Sequence, residues 1–227
     1  MPVIVLNFKV YRENTGANAL RRAQAVEGVA EENPEVEFVI CPPHAELAAV
    51  SSALKARALE VFAQHCDLNP PGAFTGTVTL EELKAIGCSG TLLNHAEKKL
   101  PHPQVRETIE RAGKVGLRVL ACAKDVEEGV TLAKMRPWAV AVEPPELIAT
   151  GLSVSTAKPE VVKDAVEKIK HANPGIVVLV GAGVSTAEDV GKCIEYGADG
   201  VLLASAFAKA KDPGRLVKEM AHAAARK

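Results

Sequence analysis

The chain has 227 residues, 48% of them hydrophobic, with a net charge of -1 and a pI near 6.6. That is ample material for a large core, and the charge balance gives no broad attraction to nucleic acid or to an anionic membrane. No run of eighteen apolar residues occurs, which excludes a helical membrane span. The opening Val3-Ile4-Val5-Leu6-Asn7 has no basic start and no cleavage site, so it reads as a strand rather than a secretory leader.

Short runs rich in Val, Ile and Leu recur along the chain, predicting strands over 3–7, 37–41, 60–63, 90–93, 118–122, 139–142, 177–180 and 200–203. Near-continuous apolar runs of this length suit parallel strands buried on both faces. Helical patterns lie between them. Residues 18–32 place Leu20, Ala23, Val26, Val29 and Ala30 on one face, and 104–115 place Val105, Ile109 and Ala112 together. A third helix is predicted over 159–170, and a fourth over 186–196 with Ser185 as its N-cap. Eight strands each followed by a helix imply an α/β fold, a closed (β/α)8 barrel formed by one domain over residues 1–227. An open doubly wound sheet is the alternative, but it carries its Gly-rich phosphate turn in the first unit, and here that turn comes seventh. The longest irregular stretch is 64–79, with Pro70, Pro71, Gly72 and Gly76; a loop of this length in a compact fold has a function.

Cysteines at 41, 66, 88, 122 and 193 are odd in number and widely spaced, with no Cys-x-x-Cys. They read as reduced thiols in a cytoplasmic protein, with neither a disulfide framework nor a zinc site expected. The six histidines are scattered, so no metal is expected.

A barrel gathers the C-terminal ends of all its strands on one face, where active sites form. The first strand delivers Asn7 and Lys9; the two-residue spacing puts both side chains on one side of an extended backbone. The fourth delivers Asn94, His95 and Glu97. The sixth ends in Glu143, followed by Pro144 and Pro145, which stop the strand and start a lid. The seventh ends in Gly181-Ala182-Gly183 and the eighth in Ala204-Ser205. Singly, each has a plainer reading: a solvated lysine, a hydrogen-bonded histidine, a tight turn. Together they place a cation, an imidazole and a carboxylate at one mouth, beside small residues whose backbone N–H groups can approach a phosphate. Such a site suits proton abstraction from a phosphorylated carbon acid, with no cofactor.

With these residues in view, the chain resembles the triosephosphate isomerase family, in its short archaeal form. The carriers are Asn7-Phe8-Lys9, Ala63-Gln64, Gly72-Ala73-Phe74-Thr75-Gly76, Asn94-His95-Ala96-Glu97, Val142-Glu143-Pro144-Pro145-Glu146-Leu147-Ile148, Val180-Gly181-Ala182-Gly183 and Leu203-Ala204-Ser205. The resemblance implies an isomerase of glycolysis and gluconeogenesis acting on a small phosphorylated triose. It implies Glu143 as the base, His95 as a neutral electrophile beside a helix N-terminus, Lys9 as an electrostatic clamp and Asn7 as a second donor; the Glu–His pairing is also a standard worked case of pKa tuning. Glu97 resembles a buried partner of that lysine. The phosphate cradle implied is Gly181, Gly183, Val184 or Ser185, Ala204 and Ser205, closed by the lid residues Ile148 and Ala149. Thr75 resembles a residue that reaches into a neighbouring subunit, and the archaeal form implies a homo-oligomer, a tetramer rather than a dimer. Three departures stand out: Ala96 where the family has a serine, Ala149 where it has a glycine, and Lys98 where many members have arginine. Two rival readings are a phosphosugar aldolase using Lys124 as a Schiff-base lysine, and a non-catalytic phosphate-binding barrel.

Overall fold

A computed structural model describes residues 1–55, 58–143 and 159–226. Among them, eight parallel strands run in chain order: β1 (Val3–Asn7), β2 (Glu37–Cys41), β3 (Leu59–Ala63), β4 (Gly90–Leu93), β5 (Arg118–Ala123), β6 (Ala139–Val142), β7 (Val177–Val180) and β8 (Gly200–Leu203). Each pairs with the next, and β8 returns to β1 with Leu6 opposite Leu203, which closes the (β/α)8 barrel. The helices outside it are α1 (Ala17–Glu32), α2 (Leu47–Ala53), α3 (Leu80–Ala85), α4 (His102–Val115), α5 (Val126–Ala133), α6 (Pro159–Ala172), α7 (Ala187–Glu195), α8 (Ser205–Lys209) and α9 (Pro213–Ala225).

Strand periodicity sorts the core into two. Val3, Val5, Val39, Cys41, Leu120, Cys122, Ala139, Ala141, Leu179 and Leu202 fill the barrel. Their neighbours Ile4, Leu6, Phe38, Ile40, Val140, Val142, Val178, Val180, Val201 and Leu203 pack outward in the larger core shared with the helices. The same alternation carries the inward side to the mouth: the series 3, 5 ends on Asn7, the last residue of β1, and 139, 141 leads to Glu143, one step past β6. The opposite end of the barrel is plugged. Arg118 donates to Glu37 at 2.8 Å and to Glu60, and its guanidinium lies 4.1 Å from the centre of the Trp138 ring and 5.3 Å from that of Phe62. Gly90 is needed beside this plug, because a Cβ there would stand 2.5 Å from both the Phe62 ring and the Arg118 carbonyl oxygen.

One helix start is corrected. The N-cap of α7 is Thr186, not Ser185: Asp189 forms a reciprocal capping box with Thr186 and is fully buried. Ser185 and Glu188 have the same spacing, so the pattern alone did not choose between the two frames. Helix α4 begins at His102, two residues before the predicted start, with Pro103 in its first turn.

Candidate active site

Asn7, Lys9, Tyr11, His95, Glu143, the 181–185 turn and residues 202–205 line one cavity of about 220 Å3 at the C-terminal end of the barrel. A larger groove of about 1070 Å3 lies outside the barrel between α7 and α9, lined by helix-surface residues such as Glu188, Lys192, Glu219 and Arg226. The smaller, deeper cavity holds the groups able to do chemistry, and its size suits a small ligand.

Lys9 does not sit on extended backbone as its spacing suggested. The strand stops at Asn7 and Lys9 has φ 45°, a conformation that is sterically costly for a residue with a Cβ. Surrounding groups hold it there. Asn7 Oδ1 accepts from the Lys9 N–H at 2.9 Å, Gln64 donates to the Lys9 carbonyl at 2.9 Å, and Asn14 donates to the Phe8 carbonyl at 2.7 Å. Asn7 itself lines the cavity. Lys9 Nζ then reaches Glu97 at 2.7 Å. Glu97 is the lysine's partner as expected, but it is not buried: its side chain is 63% exposed. The Lys9 hydrogen bond holds its carboxyl below the usual range despite partial burial.

His95 follows Asn94, whose φ of 60° turns the chain across the mouth. Asn94 is fixed by donating to the Cys122 carbonyl and to Glu128, each at 3.0 Å, and by accepting from the Leu100 N–H. No helix begins at His95; a single turn closes there through Lys98 N–H to the His95 carbonyl, and α4 starts only at His102. The ring's state is set by other means. Burial lowers its pKa, and the Lys9 charge lowers it further, against the opposing pull of Glu97. The Glu97 N–H donates to His95 Nδ1 at 3.1 Å, so that nitrogen is an acceptor and the neutral ring carries its proton on Nε2. The Glu97 carboxylate, 3.7 Å from Nδ1, is too far to draw a proton there.

Glu143 lies against β7. A Cβ at Gly181 would meet its Cγ at 3.1 Å, so the small residue at 181 makes room for the base as much as for an anion. Burial raises the Glu143 pKa; Lys9 opposes this and Glu97 adds to it. Among the described residues no hydrogen bond reaches its carboxylate, in keeping with Ala96 lacking a hydroxyl.

Of the expected cradle, Gly181, Gly183, Val184, Ser185, Ala204 and Ser205 all line the cavity. Their amides are not equivalent. The Ser185 N–H is already spent on Asp189 Oδ2 at 2.9 Å. The Gly183, Val184, Ala204 and Ser205 amides have no acceptor among the described residues. Ile148 and Ala149 lie outside the described residues. Thr75 is exposed and takes no part in this chain's cavity. His65 is a buried loop residue 3.3 Å from Asp67. Tyr11, Gln64, Asn14 and Glu128 were not read as site residues: Gln64 and Glu128 act through contacts between segments distant in sequence, Asn14 holds a carbonyl six residues before it, and Tyr11 lines the cavity.

The family model for triosephosphate isomerase matches residues 2–221. The chain belongs to the triosephosphate isomerase family. A triosephosphate isomerase of Methanothermus fervidus is 43% identical over 219 residues, covering 96% of this chain and 97% of the relative. That of Pyrobaculum islandicum is 42% identical over 220 residues, covering 97% and 94%. That of Saccharolobus solfataricus is 37% identical over 225 residues, covering 99% and 97%. Triosephosphate isomerase membership leaves the aldolase reading without support: the Lys124 side chain is 66% exposed, whereas a Schiff-base lysine needs desolvation.

Proposed function

We propose that this chain interconverts dihydroxyacetone phosphate and D-glyceraldehyde 3-phosphate, a step of glycolysis and gluconeogenesis. The observation that carries the reading is one cavity shared by a carboxylate with a raised pKa, an imidazole held neutral with its proton on Nε2, and a lysine. Glu143 takes a proton from the carbon next to the carbonyl. The electron pair moves onto the carbonyl oxygen, where His95 Nε2–H and Lys9 stabilise the enediolate. His95 gives its Nε2 proton to the charged oxygen and takes up the proton of the adjacent hydroxyl, and Glu143 then returns its proton to the neighbouring carbon, so that the carbonyl forms on the carbon first deprotonated. No electrons are lost or gained, so the reaction draws on no redox cofactor. Asn7 donates from the barrel side. The amides of Gly183, Val184, Ala204 and Ser205, which have no acceptor among the described residues, hold the phosphate, and Ile148 and Ala149 are the lid residues of this reading.

We read residues 1–227 as one domain that works in the cytoplasm as a homo-oligomer, a tetramer in preference to a dimer. The widely spaced free cysteines support the first part. The 64–79 loop supports the second: Asp67 pairs with Val78 through both backbone and side chain, so its base is pinched and exposed Phe74 and Thr75 project. A steady-state isomerase assay of the purified chain tests the activity, and inorganic phosphate should inhibit it competitively. A pure, folded chain without isomerase activity would remove this reading.

A further inference from the structure

The ladder joining β1 to β8 ends at Leu6 opposite Leu203. Past that point the chain carries Lys9 on one wall of the cavity and Ala204 and Ser205 on the other. Among the described residues no backbone hydrogen bond joins these two walls. Their separation is set by side chains instead. Phe8, beside Lys9, packs on Phe207 of α8 with ring centres 5.0 Å apart, and both rings are fully buried. Arg22 of α1 lies 5.4 Å from the centre of the Phe207 ring. Its guanidinium is shared three ways: Nε donates to the Glu13 carbonyl at 3.0 Å, Nη1 to the Phe207 carbonyl at 2.7 Å and Nη2 to the Ala210 carbonyl at 3.4 Å.

Glu13 belongs to the segment that follows Lys9 and Tyr11. The Phe207 carbonyl belongs to the middle of α8, the helix that starts at Ser205, and the Ala210 carbonyl to its C-cap. A helix of five residues has almost no ladder of its own, so what grips it decides where it stands. We propose that Arg22 is a positioning residue of the isomerase. It fixes the spacing between the Lys9 arm and the Ala204–Ser205 amides, and so sets how the phosphate end of the substrate is held while the carbon end meets Lys9, His95 and Glu143. The inference rests on the phosphate-cradle reading given above. A planar fork is suited to this task, because it satisfies three carbonyls in fixed directions, whereas a lysine ammonium on a flexible stem does not hold them in register.

The test compares the unaltered protein with Arg22→Met, which keeps bulk over Phe207 and removes the fork, and Arg22→Lys, which keeps the charge alone. Two substrates are used: D-glyceraldehyde 3-phosphate, and D-glyceraldehyde, which has the same carbons and no phosphate. Both variants should raise KM for the phosphorylated substrate, and the inhibition constant of inorganic phosphate, on the order of tenfold, while kcat/KM for D-glyceraldehyde stays within about twofold. An equal loss on both substrates would mean a general loosening of the fold and overturn the proposal. An Arg22→Lys variant with wild-type constants would overturn it too, since charge rather than the fork would then suffice. If the Met variant does not fold, the Lys variant carries the test. Should inorganic phosphate fail to compete in the unaltered protein, the cradle reading itself falls; should it compete equally in all three proteins, only the role of Arg22 falls.

Discussion

Glu143 is held in a site that disfavours its charge, and that has two measurable consequences. Removing the base by Glu143→Gln should lower kcat about 10²- to 10⁴-fold with the barrel intact. The same variant should melt higher than wild type at pH 8. The sign follows from a folded-state pKa raised above the unfolded one: the stabilising share is complete below the ordinary carboxylate pKa and is lost as pH rises through the raised value. A neutral Gln never loses it, so the gap in Tm should close in acid, and a gap independent of pH would show that charge burial is not its source. His95→Gln should lower kcat with little change in KM, because the bond from Nε2 strengthens as charge grows on the substrate oxygen; a raised KM at unchanged kcat would make the residue a ground-state binder. At this scale the sequence revealed which residues matter, through motifs at strand ends, and not how they are set. The bent backbone at Lys9 depends on Gln64 and Asn14, and the loss of the Ser185 amide depends on which of two capping frames wins. Neither is visible in local pattern.

Between elements, the β4–α4 connection is tied to the start of α5 by one carboxylate. Burial alone would raise the Glu128 pKa. The Lys124 N–H, the Lys99 ammonium, the Asn94 amide and His102 Nε2 all donate to it, and together they hold it at about 2. Its side chain is 5% exposed, so little of this is screened by water. With the folded pKa below the unfolded one, the contribution is present above the ordinary carboxylate range and disappears as pH falls toward 2, amounting to on the order of 2–3 kcal/mol. Urea unfolding between pH 5 and pH 2.5 should show this loss in wild type and not in Glu128→Gln; parallel curves would refute it. Because Asn94 shares the carboxylate, the variant should also weaken the hold on His95. The strands themselves were legible, since buried parallel strands write themselves as unbroken apolar runs. This carboxylate cluster was not, because Asn94 and Glu128 lie in different repeats and become neighbours only once the barrel closes.

Across the whole molecule, chemistry and closure sit at opposite ends of the barrel, and the 64–79 loop projects beside the chemical end. Phe74 is 42% exposed on that loop, an apolar group with no cover in the single chain. Phe74→Glu should shift the mass measured by light scattering toward the 23.9 kDa of one chain; an unchanged mass would place the subunit contact elsewhere. The plug at the other end has a spectroscopic consequence. Trp138 is the chain's only tryptophan, and it lies under Arg118 at the start of β6 while Glu143 follows that strand's end. Five residues of strand put roughly 16 Å between them. Intrinsic tryptophan emission should therefore stay silent when phosphate or substrate fills the mouth, yet change in one cooperative step when the barrel opens in urea. The protein thus carries a built-in fluorophore that reports folding separately from ligand occupancy, and a titration with phosphate that moved the emission would show the two ends of the barrel to be mechanically coupled.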